Sequence, residues 1–312
     1  MQKFSIGPLE WALLIGLSII WGGSYLFMKV AVASVPVLTI VFARVALGAF
    51  ALALVILLIR THFPKGVGVW RSFLGMGIIN NVIPMSLIVY GTSKIDAGLA
   101  SIINAMTPLF AIIIAHFATT DERFTANRLI GVALGVCGVI VLIGPSFLFN
   151  TEINLWGELA CLAATLSYAS ASIFGRRFAR MKLQPIQIAF GQTASASLVL
   201  LPISFVIDKP WTLVMPTEEA ILSIAALGIL CTAIGYLMYF RVLNNSGAVA
   251  VALVTLLIPP SALVLGIFVL GETLSLTDLI GMGLIGIGLV IVNFKLKSAH
   301  TISERNTATT SS

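Results

Sequence analysis

The chain has 312 residues, of which 59% are hydrophobic and 10% are charged, with a formal net charge of +6. No soluble fold of this length needs so large an apolar share, so the composition excludes an ordinary soluble domain. In a soluble protein the basic excess would suggest nucleic acid. Here we assign it to loops that orient the chain in a membrane, and we expect no nucleic-acid partner.

Ten apolar stretches are long enough to cross the lipid bilayer, which takes about 20 residues each. In chain order they cover 11–33, 37–59, 70–91, 97–118, 126–146, 156–175, 185–207, 219–240, 247–270 and 276–294. The sequence therefore predicts an all-α, multi-pass membrane protein. Residues 1–10 precede the first stretch, and the polar residues 295–312 are expected to form a disordered tail.

The basic residues are unevenly divided between the two ends of these stretches. With the N-terminus in the cytoplasm, the cytoplasmic segments hold 14 Lys and Arg residues and the outer segments hold 3, with Arg44 inside a span. The densest group is Arg176, Arg177, Arg180 and Lys182. The positive-inside rule then predicts that residues 1–10 and the tail 295–312 are both cytoplasmic.

One sequence pattern occurs twice. Glu122 leads to Leu129-Ile130-Gly131 by the same spacing that separates Glu272 from Leu279-Ile280-Gly281. A repeat of this length in a membrane protein predicts two related halves, residues 11–147 and 153–294, each with five helices. Five is odd, so the halves are inverted relative to each other and a substrate site is expected near the midplane between them. The two glutamates are interpreted as charges at the starts of helices 5 and 10, or as proton-coupling groups.

The first two predicted helices carry the charged candidates for a substrate path. Ser18, Trp21, Tyr25 and Lys29 fall on one helical stripe, which predicts either a cavity lining or packing aromatics with a lysine that reaches the interface. Arg44 lies well inside the second helix, where a charge costs at least about 2.5–3.5 kcal/mol. It is interpreted as a contact for a substrate carboxylate, as a pivot between states, or as a structural clamp.

Polar residues beside prolines mark the third, fourth and ninth helices. Asn80 and Asn81 precede Pro84, which removes a helix hydrogen bond. This amide pair is expected either to bind a polar solute or to bond neighbouring helices. Interrupted helices near the site are predicted from a set of polar and proline positions shared by the two halves: Asn104 and Pro108, then Thr255, Pro259 and Pro260. The four prolines of these helices, Pro84, Pro108, Pro259 and Pro260, are candidates for gating or hinge residues.

The sixth to eighth helices add three further path candidates. Tyr168 falls near the counterpart position of Trp21, and Gln192 near that of Arg44. Tyr236 is a candidate for stacking on an aromatic or cationic substrate. Helices 5 and 10 are rich in glycine, which predicts close helix packing and allows a homodimer contact.

The sequence contains no pattern for a cofactor, metal or catalytic centre. GxxxxGK[ST] is absent, the three histidines form no metal or triad pattern, and no HExxH occurs. Cys137, Cys161 and Cys231 are interpreted as small buried hydrophobic residues.

The chain resembles the EamA-type members of the drug/metabolite transporter superfamily. The resemblance is carried by Trp21-Gly22-Gly23-Ser24 with Lys29 and Arg44, and by a proline followed by a glutamate in each half. Pro108 precedes Glu122 by 14 residues, whereas Pro259 precedes Glu272 by 13. The resemblance implies a ten-helix secondary carrier, often an exporter of amino acids or other metabolites.

Three functions remain open from the sequence. The first is a secondary active transporter of the inner membrane that exports amino acids or related small metabolites by alternating access. The second is an exchanger of phosphorylated or other anionic metabolites, and the third a membrane-embedded enzyme or lipid-handling protein. The path candidates favour the first.

Overall fold

The computed structural model describes residues 8–118, 125–148 and 152–293, nearly all of them helical. The first half contains α1 (Pro8–Val32), α2 (Val37–Leu58), α3 (Val67–Thr92), α4 (Ala97–Ala118) and α5 (Ala126–Leu148). The second half contains α6 (Glu152–Gly175), α7 (Pro185–Ile207), α8 (Glu218–Leu243), α9 (Leu253–Leu270) and α10 (Leu276–Asn293). The tail 295–312 and Glu122 lie outside the described residues.

The helices fit a membrane by length and composition. Within the described ranges, nine are long and apolar enough to cross a bilayer, and α10 contributes a shorter apolar stretch, Leu276–Val292. Their outward faces carry exposed apolar side chains such as Phe50 and Phe268, which suits contact with lipid tails. The prediction of an all-α membrane protein with ten helices in two inverted five-helix repeats is confirmed.

Equivalent helices of the two halves pack in equivalent ways. Helix α2 packs along α7 and α5 along α10, so each of these pairs joins two counterparts. Helix α1 packs on α8 and α9, and α6 packs on α3 and α4 in the matching arrangement. The contacts therefore follow a pseudo-two-fold relation between the halves, and residues from both halves meet at the centre.

Helices α3 and α8 both widen into a π-helical stretch near their middles, at Ile78–Val82 and Ala226–Ile234. Such stretches leave backbone groups free for other partners and are frequent at functional sites. In α3, Pro84 has no N–H to give to the preceding turn. Nearby, the Ser167 hydroxyl of α6 donates to the Ile79 carbonyl at 2.7 Å.

The prolines of α4 and α9 act differently on the backbone. Helix α4 is interrupted between Asn104 and Thr107, directly before Pro108. The Thr107 hydroxyl donates to the Asn104 carbonyl at 2.8 Å and so replaces the N–H that Pro108 lacks. The interruption expected at Pro108 is present.

The corresponding expectation for Pro259 and Pro260 is wrong. The backbone of α9 is α-helical from Leu253 through Leu265, and the two prolines do not interrupt it. A proline ring holds φ near the helical value, so these residues can continue a helix. Because they lack a backbone N–H, the preceding turn loses two hydrogen bonds, but the helix does not break. The sequence symmetry between the two helices therefore does not extend to their backbones.

One cysteine also departs from the expectation. Cys161 and Cys231 are buried, as expected, but Cys137 is exposed on α5. Position 137 lies on the face of α5 that is turned away from α10, where an apolar thiol can contact lipid.

Glycines let α5 and α10 approach closely. A Cβ added at Gly288 would lie 2.5 Å from the Gly131 carbonyl oxygen, and one at Gly138 would lie 2.8 Å from the Gly281 carbonyl oxygen. At Gly286, no atom of the described residues lies within 4 Å of the Cβ position. Gly131, Gly138, Gly281 and Gly288 therefore serve packing within the chain, whereas Gly286 does not, and a homodimer contact stays a prediction.

Gly288→Ile is expected to destabilise the protein strongly, whereas Gly286→Ile is expected to be tolerated. The first side chain would collide with backbone atoms that cannot rotate away, and overpacking of this kind costs about 1–3 kcal/mol or more. Both changes put the same residue into the same helix, so intrinsic helix propensity cancels. Melting temperature and monodispersity of the purified variants in detergent test this. Equal melting temperatures would contradict the assigned α5–α10 contact.

Candidate substrate cavity

A cavity of about 560 Å³ lies between the two halves. This volume falls within the roughly 300–1,000 Å³ that is typical of small-molecule sites. Helices α1 to α4 line it from the first half, and α6 to α9 line it from the second. It is therefore placed where an inverted repeat is expected to form its site.

The cavity gathers most of the path candidates. Nine of the eleven contribute to its lining: Trp21, Tyr25, Arg44, Asn80, Asn104, Tyr168, Gln192, Tyr236 and Thr255. Lys29 and Asn81 are not among the lining residues. None of the four prolines lines the cavity, although Thr107 and Ile258 beside them do.

Lys29 binds the backbone instead of facing the cavity. Its Nζ donates to the Ile95 carbonyl at 2.7 Å, so it ties α1 to the connection between α3 and α4. The cavity-lining face of α1 consists of Trp21, Ser24, Tyr25 and Met28. Residues on this face follow the 3.6-residue helical period, and Lys29 lies to one side of the face.

The amide pair of α3 forms a polar network with the second half. Gln192 Oε1 accepts hydrogen bonds from Asn80 Nδ2 at 2.9 Å and from Asn81 Nδ2 at 3.5 Å. The Tyr236 hydroxyl donates to Asn81 Oδ1 at 3.2 Å. Asn81 is fully buried. Of the two expected roles, bonding to neighbouring helices is present, and Asn80 also reaches the cavity.

The Arg44 side chain is buried, with 8% of its surface exposed, and not all of its N–H donors are used. Its Nε donates to Thr232 Oγ1 at 3.2 Å, and one terminal nitrogen lies 3.7 Å from the Met28 sulfur. A guanidinium has five N–H donors, and no carboxylate contacts Arg44 within the described part of the chain. Arg44 therefore clamps α2 to the π-helical stretch of α8 and still presents charge to the cavity.

Arg44 and Gln192 occupy equivalent places. Each is the eighth residue of its helix, α2 or α7. Arg44 bonds Thr232 in the π-helical stretch of α8, and Gln192 bonds Asn80 and Asn81 in that of α3. The two halves thus place a charge and a neutral amide at matched positions, as the sequence comparison of these residues suggested.

The cavity walls are largely aromatic. The aromatic lining residues are Trp21, Tyr25, Tyr168, Phe178, Tyr236, Tyr239 and Phe240. Trp21 is fixed by a hydrogen bond from its Nε1 to the Cys231 carbonyl at 3.0 Å, and its ring centre lies 5.6 Å from that of Tyr239. The role of Phe178 in the cavity could not be predicted from the sequence, because this residue lies in the 3₁₀ segment Arg176–Met181, outside every apolar span.

Near one end of the cavity, a carboxylate joins the two halves. Helix α9 ends at Leu270, and the next residue, Gly271, has a positive φ of 68°. The N–H of Glu272 then donates to the Gly266 carbonyl, so that a left-handed glycine caps the end of the helix. Glu272 is thereby aimed at α4, where its carboxylate accepts from Ala97 N at 2.7 Å and Gly98 N at 3.1 Å. The expectation that Glu272 serves the start of α10 is wrong, because it caps the first turn of α4.

We call this region the latched end, formed by Lys29, the connection Ile95–Gly98 and Glu272. Both Lys29 and Glu272 bind the same short connection from opposite halves of the protein. Met28, Met85 and Ile88, the lining residues toward this end, are all buried. At the other end, Ser172 and Ala179 line the cavity and are exposed. The cavity is therefore accessible from the side of the segment Arg176–Met181.

A metal-binding cluster of three or more His, Cys, Asp or Glu residues does not occur among the residues that the structure describes. The chemistry of the cavity is set by one guanidinium, several amides and hydroxyls, and aromatic rings.

The sequence matches known membrane transporters over nearly its whole length. The model of the EamA-like transporter family matches residues 9–144 and 155–294. An uncharacterized transporter of Bacillus subtilis, YoaV, is 26% identical over 286 residues, covering 90% of this chain and 95% of that protein. A probable amino-acid metabolite efflux pump of Escherichia coli is 28% identical over 290 residues, covering 89% and 93%.

A solved crystal structure has a similar fold. It superposes with a TM-score of 0.66 at 18% identity and covers 92% of this chain and 99% of the other. At this identity the likeness concerns the fold alone.

Proposed function

The chain belongs to the EamA-like transporter family and is a multi-pass membrane transporter, and we propose that it is a secondary carrier that exports amino acids or related small metabolites by alternating access. The observation that carries the proposal is the cavity between the inverted halves, accessible from one end and latched at the other. A carrier needs such a site near the midplane, reached from one side at a time.

We place the protein in the cytoplasmic membrane with both termini inside. The accessible end of the cavity then faces the cytoplasm, on the same side as the basic cluster Arg176, Arg177, Arg180 and Lys182, and the latched end faces outside. The uneven distribution of Lys and Arg supports this orientation. A cytoplasm-facing cavity is the state in which an exporter collects its substrate.

Exchange of phosphorylated metabolites is less well supported. A phosphate monoester carries about −1.5 to −2 charges at neutral pH. Among the described lining residues, Arg44 is the one Lys or Arg side chain. Lys29 lies outside the lining and is bound to the Ile95 carbonyl. Export of a less highly charged solute matches the cavity better.

The proposal predicts a specific change in the growth medium of expressing cells. Ala171 is buried and lines the cavity on α6, whereas Leu166 on the same helix is 43% exposed and does not. Ala171→Trp fills the cavity and is expected to abolish export, while Leu166→Trp, which adds the same indole on the outer face, is expected to export like the wild type.

Untargeted mass spectrometry of the medium, at matched membrane levels of the three proteins, measures this. A metabolite enriched by the wild type and by Leu166→Trp but not by Ala171→Trp identifies a substrate. Equal media from all three and from cells without the protein would count against export.

A further inference from the structure

The charge balance of the cavity calls for an anion. Arg44 is the one formally charged side chain among the described lining residues, and no carboxylate contacts it within those residues. A lone cation inside the hydrocarbon layer is costly, and an anionic group beside it relieves that cost. The guanidinium fork also matches a carboxylate geometrically, with two parallel N–H···O bonds.

The cavity offers no carboxylate to a cation. Its described lining contains no Asp or Glu, and the buried Glu158 of α6 lies outside it. The ammonium of an amino acid has a full charge and three donors to satisfy. Inside this cavity it would lie near Arg44, a like charge, without a carboxylate to offset the loss of water.

A neutral donor does have a place to bind. Asn104 lines the cavity, and its buried Oδ1 has no hydrogen-bond partner among the described residues. Rotation of the amide about its last side-chain bond turns this acceptor toward the cavity. A buried acceptor left without a donor destabilises the protein, and a single substrate N–H or O–H removes that penalty. A hydroxyl supplies that one donor without adding charge.

The aromatic side chains of the cavity walls indicate that the body of the substrate is also aromatic. Trp21 is held by its bond to the Cys231 carbonyl and packs on Tyr239, so at least this ring is rigidly placed. Tyr168 and Tyr236 line the second half of the cavity. Fixed aromatic side chains provide a large apolar contact surface with a preferred geometry for other rings.

The mouth of the cavity has the matching charge. The segment Arg176–Met181 carries the lining residues Phe178 and Ala179, which are flanked by the exposed Arg177 and Arg180. The sequence from 176 to 182 contains no acidic residue. A basic rim of this kind raises the local concentration of anions.

We infer that the substrate is a monocarboxylate with an aromatic body and a neutral hydrogen-bond donor in place of an ammonium group. The carboxylate binds Arg44, the neutral donor binds Asn104, and the ring packs against Trp21 and the tyrosines. This inference rests on the proposed function and narrows its substrate class to deaminated relatives of aromatic amino acids.

Three probes with one carbon skeleton test the inference on the purified, full-length protein. They are 3-phenyllactate, which has a carboxylate and a hydroxyl, phenylalanine, which has an ammonium in place of the hydroxyl, and phenylalaninamide, which keeps the ammonium but has a neutral amide in place of the carboxylate. Phenyllactate is expected to bind at least about 10-fold more tightly than phenylalanine, with phenylalaninamide weakest, by the usual strength of charged hydrogen bonds.

Two variants show which residue creates the preference. Arg44→Gln is expected to remove the advantage of phenyllactate over phenylalaninamide. Arg71→Gln removes one positive charge from an exposed position of α3 outside the lining, and it is expected to keep the wild-type order of affinities.

Each other result overturns the inference. Binding of phenylalanine as tight as that of phenyllactate shows that the ammonium is accommodated, and tighter binding of phenylalaninamide shows a cation site. Lack of binding by all three refutes the aromatic body. Counterflow in proteoliposomes separates this from the proposed function, because transport of amino acids alone would leave the carrier role intact. Binding of phenyllactate without movement would instead refute the carrier role.

Discussion

Arg44→Ala is expected to lower transport by about 10- to 100-fold without loss of folded protein. A hydrogen bond to a charged group contributes about 1.5–3 kcal/mol, and about 1.4 kcal/mol corresponds to a factor of ten. The Arg44 guanidinium has donors beyond the one used for Thr232, so most of its charge is available to substrate. Initial rates in proteoliposomes, with matched protein content and melting temperature, measure the effect.

A structural clamp would give the same loss, so the partner residue decides between the two roles. Thr232→Val keeps the shape of the side chain and the charge of Arg44 but removes the oxygen that accepts from its Nε. If Arg44 contacts substrate, Thr232→Val reduces transport much less than Arg44→Ala. Equal losses in the two variants would assign Arg44 to the clamp alone.

Arg44→Lys adds a second distinction. Lysine retains the charge but lacks the planar fork that binds a carboxylate with two bonds. A substrate contact therefore predicts a partial loss that appears mainly as a raised KM. A merely structural role predicts a lower amount of folded protein with the same KM.

The sequence predicted the spans because the bilayer imposes one rule on every segment. A helix that crosses hydrocarbon must be apolar over about 20 residues, and its backbone N–H and C=O groups must hydrogen-bond to one another. Polar side chains inside such spans are expensive, so Trp21, Arg44, Asn104 and Gln192 could be selected as candidates without a structure. The structure places them around one cavity.

Long-range partners could not be predicted in this way. Nothing near Glu272 in the sequence indicates that its carboxylate binds Ala97, 175 residues earlier. The helical stripe of Lys29 predicts a place on the path, but the partner that decides its position, the Ile95 carbonyl, belongs to the connection between α3 and α4. Similarly, the effect of Pro259 depends on the packing of the whole helix, and local sequence contains only the missing N–H.

The hydrogen bonds that hold the latched end contribute little free energy, as a gate that must open requires. A carboxylate that caps a helix contributes about 0.5–2 kcal/mol, and Lys29 adds one hydrogen bond to the same connection. Contacts of this strength can be broken in every transport cycle. In comparison, α2 and α7 are bonded at both ends, by Thr39 to Asp208 and by Gln187 to the His62 carbonyl, so we expect this pair to stay together.

Cross-linking the latched end is therefore expected to stop transport completely. The design replaces Ala97 and Glu272 by cysteine in a chain whose native Cys137, Cys161 and Cys231 are serine or alanine. A reducible, thiol-specific reagent about as long as the glutamate side chain then joins the two positions across the halves. If the cavity must open at this end, the joined protein carries no substrate to the outer side, and reduction restores its rate.

The matched control joins the halves where no movement is expected. Thr39→Cys with Asp208→Cys connects α2 to α7 at the same end of the protein, and the same reagent is expected to leave most transport intact. Full transport by the joined Ala97–Glu272 pair would refute alternating access at this end. Equal arrest in both pairs would instead show that α2 and α7 separate during the cycle, which their hydrogen bonds at both ends argue against.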